Sequence, residues 1–187
     1  MDTARWMPWR ARRRPLATAA RTIASWDPAV RLQSRAHLLW LTQQFTEART
    51  TAHSAIAQPG AARTRLPDVL DLTLAPQLYA AHMPAGAQQL TDALRAAHST
   101  AGQLAAATPR AARRTLTRLT DDLGHAQELL EHACHDVRGA DLRAADPTHL
   151  YLGGLRWDSA TQWPAPWDEQ IRATSDPVNG GHRIRDT

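Results

Sequence analysis

Residues 108–139 read TPRAARRTLTRLTDDLGHAQELLEHACHDVRG. Ala112, Leu116, Leu119, Leu123, Ala126, Leu130, Ala133 and Val137 recur in this stretch at intervals of four and three in strict alternation. That is the period of one helix face, and the alternation is the seam of helices packed nearly parallel or antiparallel. Thr108 suits an N-cap, Pro109 suits the first helical position, and Gly139 suits a stop. The stretch therefore predicts a long helix from about Pro109 to about Arg138.

Upstream, the same alternation appears twice more. A helix opening at Asp27-Pro28 and ending near Gln58 carries Leu38, Leu41, Phe45, Ala48, Ala52 and Ala55. A helix from Pro84 to about Ala107 carries Ala87, Leu90, Leu94, Ala97, Ala101 and Leu104. Extending the second seam forward reaches position 108, whereas extending the third backward reaches 109. One residue is a rotation of roughly 100°, so the two seams do not join and the chain should reverse at Thr108-Pro109. Proline there would also cost the preceding turn a hydrogen bond. Shorter helices are expected over Pro15 to Ser25 and within residues 66–79, the latter broken near Pro76. No convincing strand pair is visible. The expected fold is all-α, an antiparallel four- to five-helix bundle with an irregular, tryptophan-bearing C-terminal extension. Leu32, Leu39 and Trp40 lie off the core stripe, as a second apolar flank for a tail, or for Ile23 and Trp26, to cover.

Three regions follow from texture. Residues 1–25 form a basic N-terminal arm with a short helix, residues 26–139 the bundle, and residues 140–187 the extension. Past Gly139 the helical period is lost, and Trp157, Trp163 and Trp167 fall within eleven residues. Trp167, Asp168, Glu169 and Ile171 suit one short helix with its dipole complemented by acids. From about Asp176, including the last ~10 residues, the sequence predicts disorder or an extended peptide.

Charge is concentrated at one end. The first 21 residues hold six arginines against one acid, a net +5, whereas the whole chain is +4. The sequence pI near 10.4 is thus set by an arm and not by a basic domain, which weakens the usual inference to nucleic acid. All 22 basic side chains are arginine. With the abundant alanine, that reads as coding bias in a high-G+C bacterium. A single cysteine, Cys134, excludes an internal disulfide and points to a reducing, cytoplasmic setting. No apolar run approaches the ~20 residues of a membrane span. Arg21 interrupts the segment where a secretory signal would need to be apolar.

No motif specifies catalysis or a cofactor, so no catalytic or cofactor-binding residue is expected. Gly153-Gly154 reads as a turn, because the other glycines of a phosphate cradle are missing. The densest polar cluster is His125, Glu128, Glu131, His132 and His135, with Cys134 beside them. Glu128, His132 and His135 have spacings at which a metal could bridge neighbouring turns. The seam, however, turns all of them outward, and a wet Glu/His face with weak pairs is the favoured reading. His37, His53, His82 and His98 lie on separate stretches and define no site. Cys134 next to the seam reads as a buried, inert thiol.

Two basic groups could meet a partner. In the arm, Arg10, Arg12, Arg13 and Arg14 interleave with Trp6 and Trp9, a composition that can grip nucleic acid by phosphate contact and stacking. It can equally dock on an anionic surface or an acidic protein. Arg110, Arg113, Arg114 and Arg118 open the last long helix, where positive charge opposes the helix dipole. That placement favours an acidic partner, with Asp68, Asp71, Asp121 and Asp122 as internal alternatives. The expected function is a non-enzymatic interaction module, an adaptor or structural subunit that binds another protein or its own copy. The alternatives are a nucleic-acid-associated protein using the arm and a metal-binding bundle.

Overall fold

The computed structural model describes residues 14–57, 92 and 109–186. In chain order it contains α1 (Pro15–Ala24), α2 (Pro28–Gln33), α3 (Arg35–Ala57), α4 (Pro109–His135), β1 (Arg156–Trp157), α5 (Ala165–Ala173), β2 (Ser175–Val178) and β3 (Gly181–Ile184). The expected helix from Pro84, the segment 66–79 and the reversal at Thr108 lie outside the described residues. So do Trp6, Trp9, Arg10, Arg12 and Arg13.

Of the three long seams, the two within the described residues are where the spacing placed them. Leu38, Leu41, Phe45, Ala48 and Ala52 of α3 interlock with Leu116, Leu119, Leu123, Ala126 and Leu130 of α4 in one buried core. Leu16, Ala19, Ala20 and Ile23 of α1 complete it. Arg35 at the start of α3 meets the end of α4, and Arg49 further along lies over Gly124. These two helices therefore run antiparallel. α1 runs the other way: its first turn meets Asp122, whereas α2 just beyond it meets Ala133. α1 is thus parallel to α4, a departure from a uniformly antiparallel bundle.

The helix expected from Pro28 is two helices. Asp27 caps α2 by accepting the Ala29 N–H (2.8 Å). The chain then turns at Ser34 before α3 begins. That turn carries Leu32 away from the first core and into a second one.

The all-α expectation fails in the C-terminal segment, and the molecule is mixed α/β. β1, β3 and β2 form an antiparallel sheet in that order, with Arg156 opposite Arg183 and Asp176 opposite Arg183 on its other side. Strands of two to four residues show too little alternation to be seen as a period. The stretch from Asp176, expected to be disordered or extended, is a hairpin. Asn179 and Gly180 make its turn, with Gly180 at a φ of 83°. Gly181 is required as glycine, since a Cβ there would overlap the Trp157 carbonyl. Pro177 sits on the edge strand, where a missing N–H is tolerated.

The sheet faces a core of its own. Trp157, Trp163, Leu142, Leu155, Ile171 and Ile184 pack with Leu32 from α2 and Val137 just past α4. Trp157 stacks on His182 (4.5 Å between centroids), meets Trp163 edge-on and donates its indole N–H to Ser175 (2.9 Å). The C-terminal segment thus covers Leu32 of the predicted apolar flank. Leu39 packs on the first core with Trp26, and Trp40 remains 37% exposed against His37.

Candidate functional site

α4 ends where the two cores meet, and its last carbonyls need donors because no further turn supplies them. Two arginines one turn apart provide them. Arg31 Nη1 donates to the Ala133 carbonyl (3.2 Å), and Arg35 Nε donates to the Cys134 carbonyl (2.9 Å). Positive charge is favourable at this end of a helix dipole. Arg35 reaches further. Its Nη2 donates to the Gly153 carbonyl (2.7 Å), its Nη1 to the Tyr151 carbonyl, and the Tyr151 ring lies 5.4 Å from the guanidinium carbon. Arg35 is only 2% exposed. Among the described residues no carboxylate forms an ion pair with it, so backbone oxygens, the Tyr151 ring and the His135 imidazole compensate a buried charge.

His135, the last residue of α4, closes this network. Arg35 Nη2 lies 3.3 Å from its Nδ1, and since arginine can only donate, Nδ1 must accept there. Burial pushes the His135 imidazole below its ordinary range, and the Arg35 and Arg183 charges push it further. Glu131 and a backbone hydrogen bond with Gly154 oppose that shift. His135 is therefore neutral near neutral pH.

Above this floor opens a groove of about 400 Å³. One wall is α4, with Glu128, Glu131 and His132, and Asp136 just past its end is bridged to Arg156. The other is the sheet and its preceding turn, with Arg156, Arg183 and Gly154. Because Arg156 and Arg183 are directly opposed on β1 and β3, their side chains share one face of the sheet. Arg183 approaches Asp186 at 3.8 Å, while Asp186 also accepts the Tyr151 hydroxyl hydrogen (2.9 Å). Asp136 is held below the usual carboxylate range, first by its side-chain hydrogen bond from Arg138. His132 lies 3.7 Å from the same carboxylate. No ion pair among the described residues links Glu128 or Glu131 to Arg156 or Arg183.

The histidine cluster does not act as one group. His125, Glu128, Glu131 and His132 are exposed, as the seam implied, but His125 turns to the Asp121 carbonyl (2.9 Å). His135 is half-buried against Arg35. Among the described residues, no three His, Cys, Asp or Glu side chains stand close enough to hold a metal ion. Cys134 is buried and burial pushes its thiol up to about 11, so it stays protonated and unreactive.

Arg110, Arg113 and Arg114 are exposed on the first turns of α4. Arg14 is half-buried at the start of α1, where its carbonyl accepts the Thr18 N–H (2.9 Å). Among the described residues Asp122 forms no ion pair with Arg110, Arg113 or Arg114, although the Arg14 charge favours its ionised form. It accepts the Leu16 and Ala17 N–H groups (3.1 and 3.0 Å), capping α1 from a neighbouring helix.

Sequence reasoning missed Arg35, Arg156 and Arg183. Arg35 had a signal: it lies one turn before Leu38, beside the extrapolated seam, where an arginine must find buried acceptors. The other two had none, because their pairing depends on a register that short strands do not advertise. No helix among the described residues is long and apolar enough to cross a membrane. No family model, curated protein or solved structure matches this chain.

Proposed function

We propose that this chain is a non-enzymatic interaction module, an adaptor or structural subunit, and that the charged groove is its recognition surface. One observation carries the reading. Glu128 and Glu131 of α4 line one groove with Arg156 and Arg183 of the sheet, and among the described residues neither carboxylate forms an ion pair with either guanidinium. Charges arranged only to stabilise the fold would close on each other, whereas charges left apart are available to something between them. The remaining chemistry fits recognition better than catalysis. The thiol at position 134 is protonated, and the half-buried imidazole of His135 is tied to a guanidinium.

The test uses the full chain. Its self-association is measured by sedimentation, and partners are captured from the native host with and without Arg156→Glu and Arg183→Glu. Both side chains are exposed, so the double variant keeps its helical circular dichroism. We expect a dimer or a defined partner that the double variant loses. A chain that stays monomeric and captures nothing, or a partner indifferent to the charge reversal, overturns the reading.

A second reading rests on Arg110, Arg113 and Arg114, which stand exposed together. With the arginines of the N-terminal arm they would contact nucleic-acid phosphates. That reading requires binding to DNA or RNA that weakens steeply with salt and weakens again when these three arginines are neutralised. Binding insensitive to both sinks it.

A further inference from the structure

Arg156 and Arg183 are like charges directly opposite each other on adjacent strands, about 5 Å apart at Cβ. That arrangement destabilises a sheet unless something anionic joins them. Among the described residues little does so: Asp136, bridged to Arg156 on the other side from Arg183, gives its carboxylate to Arg138 (2.5 Å). Arg183 has only the long contact to Asp186, whose carboxylate is shared with Tyr151. Asp176, on the far side of Arg183, leans instead to Arg185 (3.7 Å). The guanidinium of Arg156 has no ion pair among the described residues. Behind them lies Arg35, buried and surrounded by carbonyls. Arg35 and Arg183 thus both act on His135, and Arg156 lines the same groove.

The opposite wall has the opposite sign. Glu128 and Glu131 are one turn apart on α4, and among the described residues the hydrogen bond Glu131 accepts is from the neutral amide of Gln127 (2.8 Å). A simple anion would gain from the sheet wall and be repelled by the helix wall. A simple cation would meet the reverse. Only a ligand with both charges satisfies both walls.

We infer that the groove binds a dipolar segment of a partner chain, its carboxylate on Arg156 and Arg183 and a neighbouring guanidinium or ammonium on Glu128 and Glu131. This rests on the reading of the groove as a recognition surface. Two guanidiniums sharing a face match the two oxygens of a carboxylate, and Arg holds such groups in fixed geometry. A volume of about 400 Å³ is that of a small-ligand pocket, room for a few residues and not for a folded surface.

The experiment is an amide and imidazole NMR titration of the full chain at low salt. The probe is a blocked peptide holding one Asp and one Arg two residues apart. Its comparators are the Asn/Arg and Asp/Gln versions and free β-alanine, a zwitterion without a peptide. We expect saturable shifts at Gly154 and His135 with the Asp/Arg peptide, and binding about tenfold weaker for each singly charged version. Arg156→Gln with Arg183→Gln should remove the preference for Asp over Asn. Glu128→Gln with Glu131→Gln should remove the preference for Arg over Gln. Equal binding of all three peptides, or no binding, overturns the inference while leaving a charge-sensitive partner capture standing. Shifts from β-alanine alone overturn both, since the groove would then hold a small molecule and no partner segment.

Discussion

Arg35 shows how one side chain can hold two parts of a molecule together. Its guanidinium donates to a helix-end carbonyl at Cys134 and to turn carbonyls at Tyr151 and Gly153. Replacing it by methionine keeps the bulk but leaves those buried acceptors without donors. Each such loss costs roughly 1–3 kcal/mol, so Arg35→Met should destabilise the chain by about 3–5 kcal/mol in urea unfolding. Arg35→Lys should not restore it, because one ammonium cannot replace a planar fork with divergent donors. His135 beside it makes a pH prediction. Its folded value is lowered below 6.5, first by burial and then by the Arg35 and Arg183 charges. The unfolded chain therefore binds this proton more readily, and the stability tied to it is lost as pH falls from 6.5 through the folded value. An imidazole NMR titration should show His135 with a midpoint below 6.5. Arg183→Gln, which leaves burial and Arg35 in place, should raise that midpoint part of the way.

Among the elements, long helices were legible and short strands were not, and the difference is one of repetition. α4 repeats its apolar step across 27 residues, so its buried face could be named residue by residue. β1 has two residues and β3 four, too few for a period. The one strong local signal, Asn179-Gly180 between Val178 and Gly181, is a hairpin turn signature that lay inside a segment read as disordered or extended. The break at Ser34 had no signal of comparable strength. The cap of α1 was illegible for another reason: it comes from a distant residue. Arg14 at its N-cap makes no side-chain cap bond, and Asp122 on α4 accepts both Leu16 and Ala17 N–H groups. Asp122→Ala should cost about 1–2 kcal/mol, as lost caps do, and should speed hydrogen exchange at Leu16 and Ala17 before it touches α3. Burial raises the Asp122 carboxyl above 3.8 despite the two N–H groups that hold it down. The folded chain thus takes this proton first, so the Asp122 contribution to stability grows as pH falls through the folded value. That trend is opposite to the one at His135. A carboxyl titration of Asp122 with a midpoint at or below 3.8 would remove this account.

For the whole molecule, the decisive feature is that the second core is not closed by its own segment. Residues 140–186 supply Trp157, Trp163, Leu155 and Ile184, but Leu32 comes from α2 and Val137 from the end of α4. Backbone pairing crosses the same junction where the Val137 N–H donates to the Arg156 carbonyl (3.0 Å). The groove lies on this junction, so its two charged walls are held by different cores and its width is set by how firmly they dock. Leu32 isolates that docking, because it is buried in the second core while its helix leads into the first. Leu32→Ala removes part of a fully buried side chain and leaves a cavity, a change that costs about 2–5 kcal/mol in comparable cores. Two signals follow the two cores during denaturant unfolding: far-ultraviolet circular dichroism reports mainly α1, α3 and α4, and tryptophan fluorescence reports Trp157, Trp163 and Trp167 in a background with Trp6, Trp9, Trp26 and Trp40 replaced throughout by phenylalanine. In that background the two transitions should coincide, since neither core is complete without the junction. With Leu32→Ala added, the fluorescence transition should move to lower denaturant further than the helical one. Separate transitions without Leu32→Ala would mean that the sheet and the bundle fold independently, and the groove between them would then lack the fixed walls on which its recognition depends.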